Sequence, residues 1–268
     1  MTLKNIFIGL GLAITLTACV EKVPITGRKQ VSLVNENELV GLSLNEYQKF
    51  LSEHKPLPIS DPRAQMVKRV GEKIQAAVIQ FMGEKGLSNR VEGYQWEFNT
   101  VDDPAVNAWC MPGGKVVVYT GLLPVTQDEA GLAVVMGHEV AHAIARHGNE
   151  RMSQGMLVQL GGLALAVAVS QKPEATQNIF LQSYGITSTL GVLKYSRTHE
   201  SEADKMGLVF SAIAGYDPNV AVSFWERMAA AGGQAPMELL STHPSDETRI
   251  ADIKAFMPEA MTYYKKKK

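Results

Sequence analysis

Apolar positions recur at helical spacing along most of the chain. From Asn35 to Leu51 the apolar residues are Leu39, Leu42, Tyr47, Phe50 and Leu51, which predicts a helix. Asp61-Pro62 opens a second, with Met66, Val70, Ile74, Ala77 and Val78 on one stripe. The period then changes. Aromatic and β-branched residues over Tyr94–Val101 predict a strand, Pro112-Gly113-Gly114 breaks the chain, and Lys115–Thr120 (KVVVYT) predicts another. Thr126-Gln127-Asp128-Glu129 fits a capping box, so a helix is expected to start there and run to about His147. Residues 156–169 are strongly apolar but only about two-thirds as long as a membrane span, which favours a buried or lid helix. Helical spacing returns near 175–194, 197–213, 218–231 and 245–256, with Pro244 expected to start the last. The pattern contains neither an internal repeat nor a dividing linker, so it predicts one mainly α-helical α+β domain with a small sheet.

The ends of the chain read differently. Lys4 followed by the short apolar run Ile6–Leu16 predicts a signal peptide over residues 1–18. Leu16-Thr17-Ala18-Cys19 looks like the lipobox of bacterial lipoproteins. That resemblance implies a lipidated Cys19, a tether or extended strap over 19–34, and a periplasmic location at the outer membrane. A single domain is expected over 35–260, followed by a basic tail at 261–268 whose Lys265–Lys268 run is solvated. The 26 Lys and Arg nearly cancel the 27 Asp and Glu, which argues against nucleic acid as a partner. With Cys19 acylated, Cys110 is the other cysteine and is expected to be a small buried hydrophobe.

Chemistry concentrates in VVMGHEVAHAIARH, residues 134–147. His138 and His142 are four apart, about 40° from eclipsed on a helix, so both imidazoles can reach one ion. Zinc is the usual occupant of such a pair, and Glu139 can take the proton of a nucleophilic water. His147, five residues past His142, points about 140° away on a continuous helix and is expected to cap the helix end instead. A third ligand must come from another element. In THESEAD (198–204), Glu200 can meet the metal while Asp204 reaches a ligating imidazole, and His199 competes with Glu200 for the ligand role. Glu202, about 200° from Glu200, is expected to be solvated or salt-bridged.

Taken together, HEVAH, the later ESEAD, the earlier NAWCMPGG and the late HPSDETR resemble the HtpX/LoiP/BepA-type zinc metallopeptidases. These are gluzincins related to the CAAX prenyl endopeptidases, and the resemblance runs from about Thr26 to Ile253. It implies a zincin-like fold whose sheet borders the active site with an edge strand. It assigns His138, His142 and Glu200 to the metal, Glu139 to general base catalysis, and Asp204 to support of the site. It places Asn107, Ala108, Gly114 and Val116 in the segment leading into the edge strand, where an extended peptide could bind by strand addition. His243 and Arg249 match the late motif, whose histidine lies near the metal in relatives and either stabilises an oxyanion or caps the zinc in a latent state, while Arg249 is expected to contact substrate. The multiple spans and helical-repeat extension of some members are missing from the pattern, which fits the LoiP-like lipoprotein subgroup best. The expected function is a zinc endopeptidase that cuts extended segments of misfolded or misassembled envelope proteins, with outer-membrane assembly machinery as a possible partner. The alternative is a chaperone-like outer-membrane assembly factor with a mainly structural zinc.

Overall fold

A computed structural model describes residues 20–160, 177–180, 183, 195–231, 239, 243 and 247–264. The first described segment is a hairpin: β1 (Val20–Lys22) pairs antiparallel with β2 (Lys29–Val31). The expected strap is therefore a small sheet of its own. Helix α1 (Glu36–Glu53) follows, with Asn35 accepting from the Asn37 amide at its start. In α2 (Pro62–Glu84), Asp61 caps the first turn and Pro62 sits where no amide partner is needed. Its face Val67, Val70, Ile74, Ala77, Val78 and Phe81 is buried.

The main sheet has the order β3-β5-β4, formed by β3 (Glu97–Val101), β4 (Ala108–Met111) and β5 (Lys115–Tyr119). β3 runs parallel to β5 and β4 antiparallel to it. All five β5 residues are buried, which explains their unbroken run rather than an alternating one. Strand β4 is absent from the expected elements, because Ala108-Trp109-Cys110-Met111 is too short to show a period.

Helix α3 (Glu129–Ile144) carries the HEVAH residues and is buried continuously from Gly131 to Ile144. It packs between β4, α2 and the later helix α5 (Arg197–Ile213). A helix covered all round needs apolar residues all round, which is why it shows so weak a polar face. Two expectations about α3 are corrected. Its cap is Asp128, which accepts from the Gly131 amide, while Thr126 closes a separate helical turn by donating to Leu123 O. It also ends at Ile144: Arg146 has φ 60°, and a new helix, α4 (His147–Leu160), starts immediately afterwards. The last helices among the described residues are α6 (Val220–Ala231) and α7 (Glu247–Tyr263), which continues past its expected end because Met257 and Ala260 keep its buried stripe going through Pro258.

Residues 1–18, Cys19 and the lysines 265–268 lie outside the described residues, as do 161–169 of the apolar segment and most of 175–194. Among the described residues, no helix is long and apolar enough to cross a membrane.

The α3–α5 contact sets the position of everything that follows. A β-carbon on Gly137 would lie 2.9 Å from Gly207 O, and one on Gly207 would lie 2.8 Å from the His138 amide nitrogen. Both contacts are to backbone, which cannot swing aside. Gly207→Ala is therefore expected to cost about 1–3 kcal/mol of stability, as overpacked interiors do. Urea unfolding checks this, and an unchanged midpoint would mean that the two helices separate freely.

Candidate metal centre

One turn of α3 separates His138 from His142 and places their Nε2 atoms 3.0 Å apart. Glu200, in the first turn of α5 and directed back by the cap that Ser196 gives His199 N, reaches both rings. Its Oε2 lies 3.5 Å from His138 Nε2 and its Oε1 lies 3.4 Å from His142 Nε2. His243 adds Nδ1, at 2.8 Å from Glu200 Oε1 and 3.2 Å from His138 Nε2. All four side chains are buried, and each offers a donor atom within 4.8 Å of the others.

The chemistry of this group fits zinc. Two or three imidazole nitrogens with one carboxylate oxygen are donors that zinc takes at catalytic sites. The charge also fits: the buried carboxylates Glu139, Glu200 and Asp204 face one guanidinium, Arg249, so a divalent ion brings the group to balance. Glu139 stands beside the donors without joining them. Its Oε1 is buried with no hydrogen-bond partner, 3.6 Å from His243 Nε2. A buried acceptor of this kind calls for a water or a substrate proton.

A second layer holds the ligands. Asp204 Oδ1 lies 2.9 Å from His138 Nδ1. Arg249 grips Asp204 with Nε and Nη2, both at 2.8 Å, places Nη1 3.0 Å from Glu200 Oε2, and stacks its guanidinium 3.4 Å over the Trp225 ring. Burial opposes ionisation of Glu200, but His243, His138 and His142 outweigh it and hold the carboxyl well below the usual carboxylate range. Burial likewise opposes a charge on Asp204, and Arg249 and His138 overcome it. Glu139 has less compensation, so burial raises its pKa. Burial also pushes up the Cys110 thiol, which leaves it unreactive.

The break at Arg146 overturns the expected place of His147. Because α4 is a new helix, His147 turns back and sets its Nδ1 3.0 Å from His142 Nδ1. The angle expected for it assumed one continuous helix. His147 is fully buried, and its Nε2 lies 3.0 Å from Glu202 Oε2. Glu202 is salt-bridged, to Arg28 of the strap, but it is buried rather than solvated. His199 does not join the metal donors: it bonds Glu150, which Arg28 also holds.

The remaining expected residues are spread along the sheet. Ala108 is in β4, which packs against α3, and Asn107 precedes it with Oδ1 on the Ala108 amide. Gly114 turns the chain between β4 and β5 at φ 80°, its α-carbon facing Trp96. Val116 is corrected: it lies in the central strand, whose backbone is paired on both sides and cannot take up a peptide. The strand nearest α3 that ends the sheet is β4. Arg249, expected to contact substrate, is also corrected: it is buried behind the ligands, held by Asp204, Glu200 and Trp225.

Comparison with known proteins agrees with this geometry. Residues 68–257 match the description Peptidase family M48. The chain is 36% identical over 244 residues to the mitochondrial metalloendopeptidase OMA1 of Schizosaccharomyces pombe, covering 90% of this chain and 67% of that protein. It is 39% identical over 182 residues to the protein of the same name in Arabidopsis thaliana, covering 66% of this chain and 35% of that protein. It is 28% identical over 165 residues to the beta-barrel assembly-enhancing protease of Escherichia coli, covering 59% of this chain and 34% of that protein. These relatives support the family but not the LoiP-like subgroup. They also overturn the expected location in a periplasm at an outer membrane, since the relatives matched along nine-tenths of the chain are mitochondrial enzymes. A lipid anchor at Cys19 and an outer-membrane assembly partner gain no support from them.

The strap cluster gives this region a pH dependence. Burial alone would raise the carboxyls of Glu150 and Glu202, but Arg28 and His199 act on the first, and His147, Arg28 and Thr26 on the second, to bring both down to about 2. Their folded values lie below the ordinary carboxylate value of about 4.3. The stability they contribute is therefore fully present above that value and is lost as pH falls toward 2. Arg28→Ala is expected to destabilise the protein more at pH 7 than at pH 2. Equal losses at both pH values in urea unfolding would refute this account.

Proposed function

The chain belongs to peptidase family M48 and is a zinc metallopeptidase, and on that premise we propose that it cuts internal peptide bonds in extended segments of misfolded or misassembled proteins. The observation that carries this reading is the Glu139 carboxylate, buried beside the donors with an unpartnered oxygen and a raised pKa. His138, His142 and Glu200 would hold the metal, which would supply acidification of a water and polarisation of a carbonyl. Glu139 takes a proton from the attacking water and returns it to the leaving amine, a role that a carboxylate of raised pKa suits near neutral pH. Asp204 and Arg249 keep His138 and Glu200 in place. The preference for extended, misfolded chains is supported by β4, which lies at the end of the sheet against α3 and reads backbone rather than side chains.

His243 gives the site a resting state. With its Nδ1 among the other donors, the set is complete without a water, as in zinc sites that do no chemistry. The same segment reaches the substrate side. The Leu239 amide donates to Val106 O just before β4, and the His243 amide donates to Leu239 O. We read this as a latent form that an incoming chain must displace, rather than as an oxyanion donor in place.

Two measurements follow. In zinc-loaded protein, Glu139→Gln is expected to lower cleavage of an unfolded substrate by about 10²–10⁴-fold while zinc content stays the same. Full cleavage by that variant would instead favour an assembly factor with a structural zinc. His243→Ala is expected to raise cleavage several-fold by opening the fourth position. A fall would assign His243 to stabilising the oxyanion, and no change would remove it from both roles.

A further inference from the structure

The two helix ligands are held from behind in different ways. His138 Nδ1 meets a carboxylate directly, through Asp204. His142 Nδ1 meets a second imidazole, His147 Nδ1, at 3.0 Å. The Nε2 of His142 faces the other donors, so its proton resides on Nδ1 and is donated to His147. His147 must then accept at Nδ1 and carry its own proton on Nε2, where Glu202 Oε2 receives it at 3.0 Å. Glu202 in turn accepts from Thr26 Oγ1 at 2.7 Å and from Arg28 Nε and Nη2, both at 2.9 Å. Each proton in this line has one place to go.

The strap also holds the face of His147. Arg28 Nη1 and Nη2 bind both oxygens of Glu150, at 2.9 and 2.7 Å. Glu150 Oε2 bonds His199 Nε2 at 3.0 Å, and the His199 ring stacks on His147 with centroids 4.6 Å apart. Further along the hairpin, Gln30 donates to Ala145 O, and Glu21 pairs with Arg146 at the break between α3 and α4. The hairpin of residues 20–31 is thus fastened to the end of the ligand helix and to both sides of one imidazole.

We propose that His147 is a positioning residue of the metal centre and that the N-terminal strap, through Thr26 and Arg28 on Glu202, fixes the tautomer and orientation of His142 through it. Carboxylates that orient a ligating histidine strengthen its donation to the metal, and here the carboxylate acts through an interposed ring. The inference rests on the assignment of zinc to His138, His142 and Glu200.

The test is zinc affinity of the full chain, measured by competition with a chromophoric chelator, alongside thermal unfolding of the metal-free protein. His147→Phe keeps the ring's bulk and removes both hydrogen bonds, and is expected to weaken zinc binding about 10–100-fold. His147→Asn, whose Oδ1 can accept from His142 Nδ1, is expected to recover most of that loss. Arg28→Ala is expected to weaken zinc several-fold alone and to add nothing in the His147→Phe background, because both act along one line. Wild-type zinc affinity in His147→Phe, with only metal-free stability reduced, would make the ring mere packing and overturn the proposal. So would an Asn variant as weak as the Phe variant, or an Arg28 effect of equal size in both backgrounds. His142→Ala separates the underlying assignment: if it leaves zinc affinity unchanged, the ligand set itself is wrong.

Discussion

Helices α3 and α5 meet backbone to backbone at Gly137 and Gly207, and the metal centre depends on that approach. One helix brings two imidazoles and a base; the other brings the carboxylate they need. Separated by the width of a methyl group, Glu200 would lose both rings at once, since it lies 3.4–3.5 Å from each. The rest of the domain reinforces this contact. β4 and α2 cover the other sides of α3, and α7 packs on α5 and carries Arg249. Close packing here fixes distances as well as lowering free energy.

Burying so many charges is costly, and the structure offsets that cost by pairing them in two separate sets. Behind His138 stands Asp204 with Arg249; behind His142 stand His147 and Glu202 with Arg28. Each set ends on a guanidinium that binds its carboxylate with two nitrogens, the geometry in which arginine pairs most strongly. The sets differ in exposure. Arg249 is deeply buried on Trp225, whereas the Arg28 side chain is 26% exposed on a hairpin. One support is part of the core, and the other is reached from the surface.

Much of this was legible in the sequence. The spacing of His138 and His142 requires a helix and a shared ion, and the capped helices at Asn35, Asp61 and Ser196 follow from local hydrogen bonding that short motifs record. The role of Glu200 over His199 came from resemblance, since spacing along the chain does not tell which face of the second helix meets the metal. What could not be read depended on tertiary placement. The end of α3 at Ile144 is set by Arg146 in a left-handed conformation, a place usually left to glycine, where its guanidinium is held by Glu21 and Glu36. No local rule anticipates that, and the error carried over to His147. In the same way KVVVY announces a buried strand but not its neighbours, so its central place in the sheet was hidden until β4 was seen beside it. Arg28 gave a weaker signal still: one of two adjacent cations in a polar segment, meaningful only beside two carboxylates from α4 and α5.

The sequence distances across the centre bear on when the enzyme becomes dangerous. Thr26 and Glu202 are 176 positions apart, His138 and His243 are 105 apart, and Gln30 and Ala145 are 115 apart. Contacts that close such long loops form late, because the chain must give up its freedom before they repay it. During synthesis the HEVAH helix emerges with neither its carboxylate ligand Glu200 nor the Glu202 carboxylate behind His147 in place. A growing chain therefore holds the motif of a protease without its machinery, and it gains the power to cut only after most of its own length has folded out of reach.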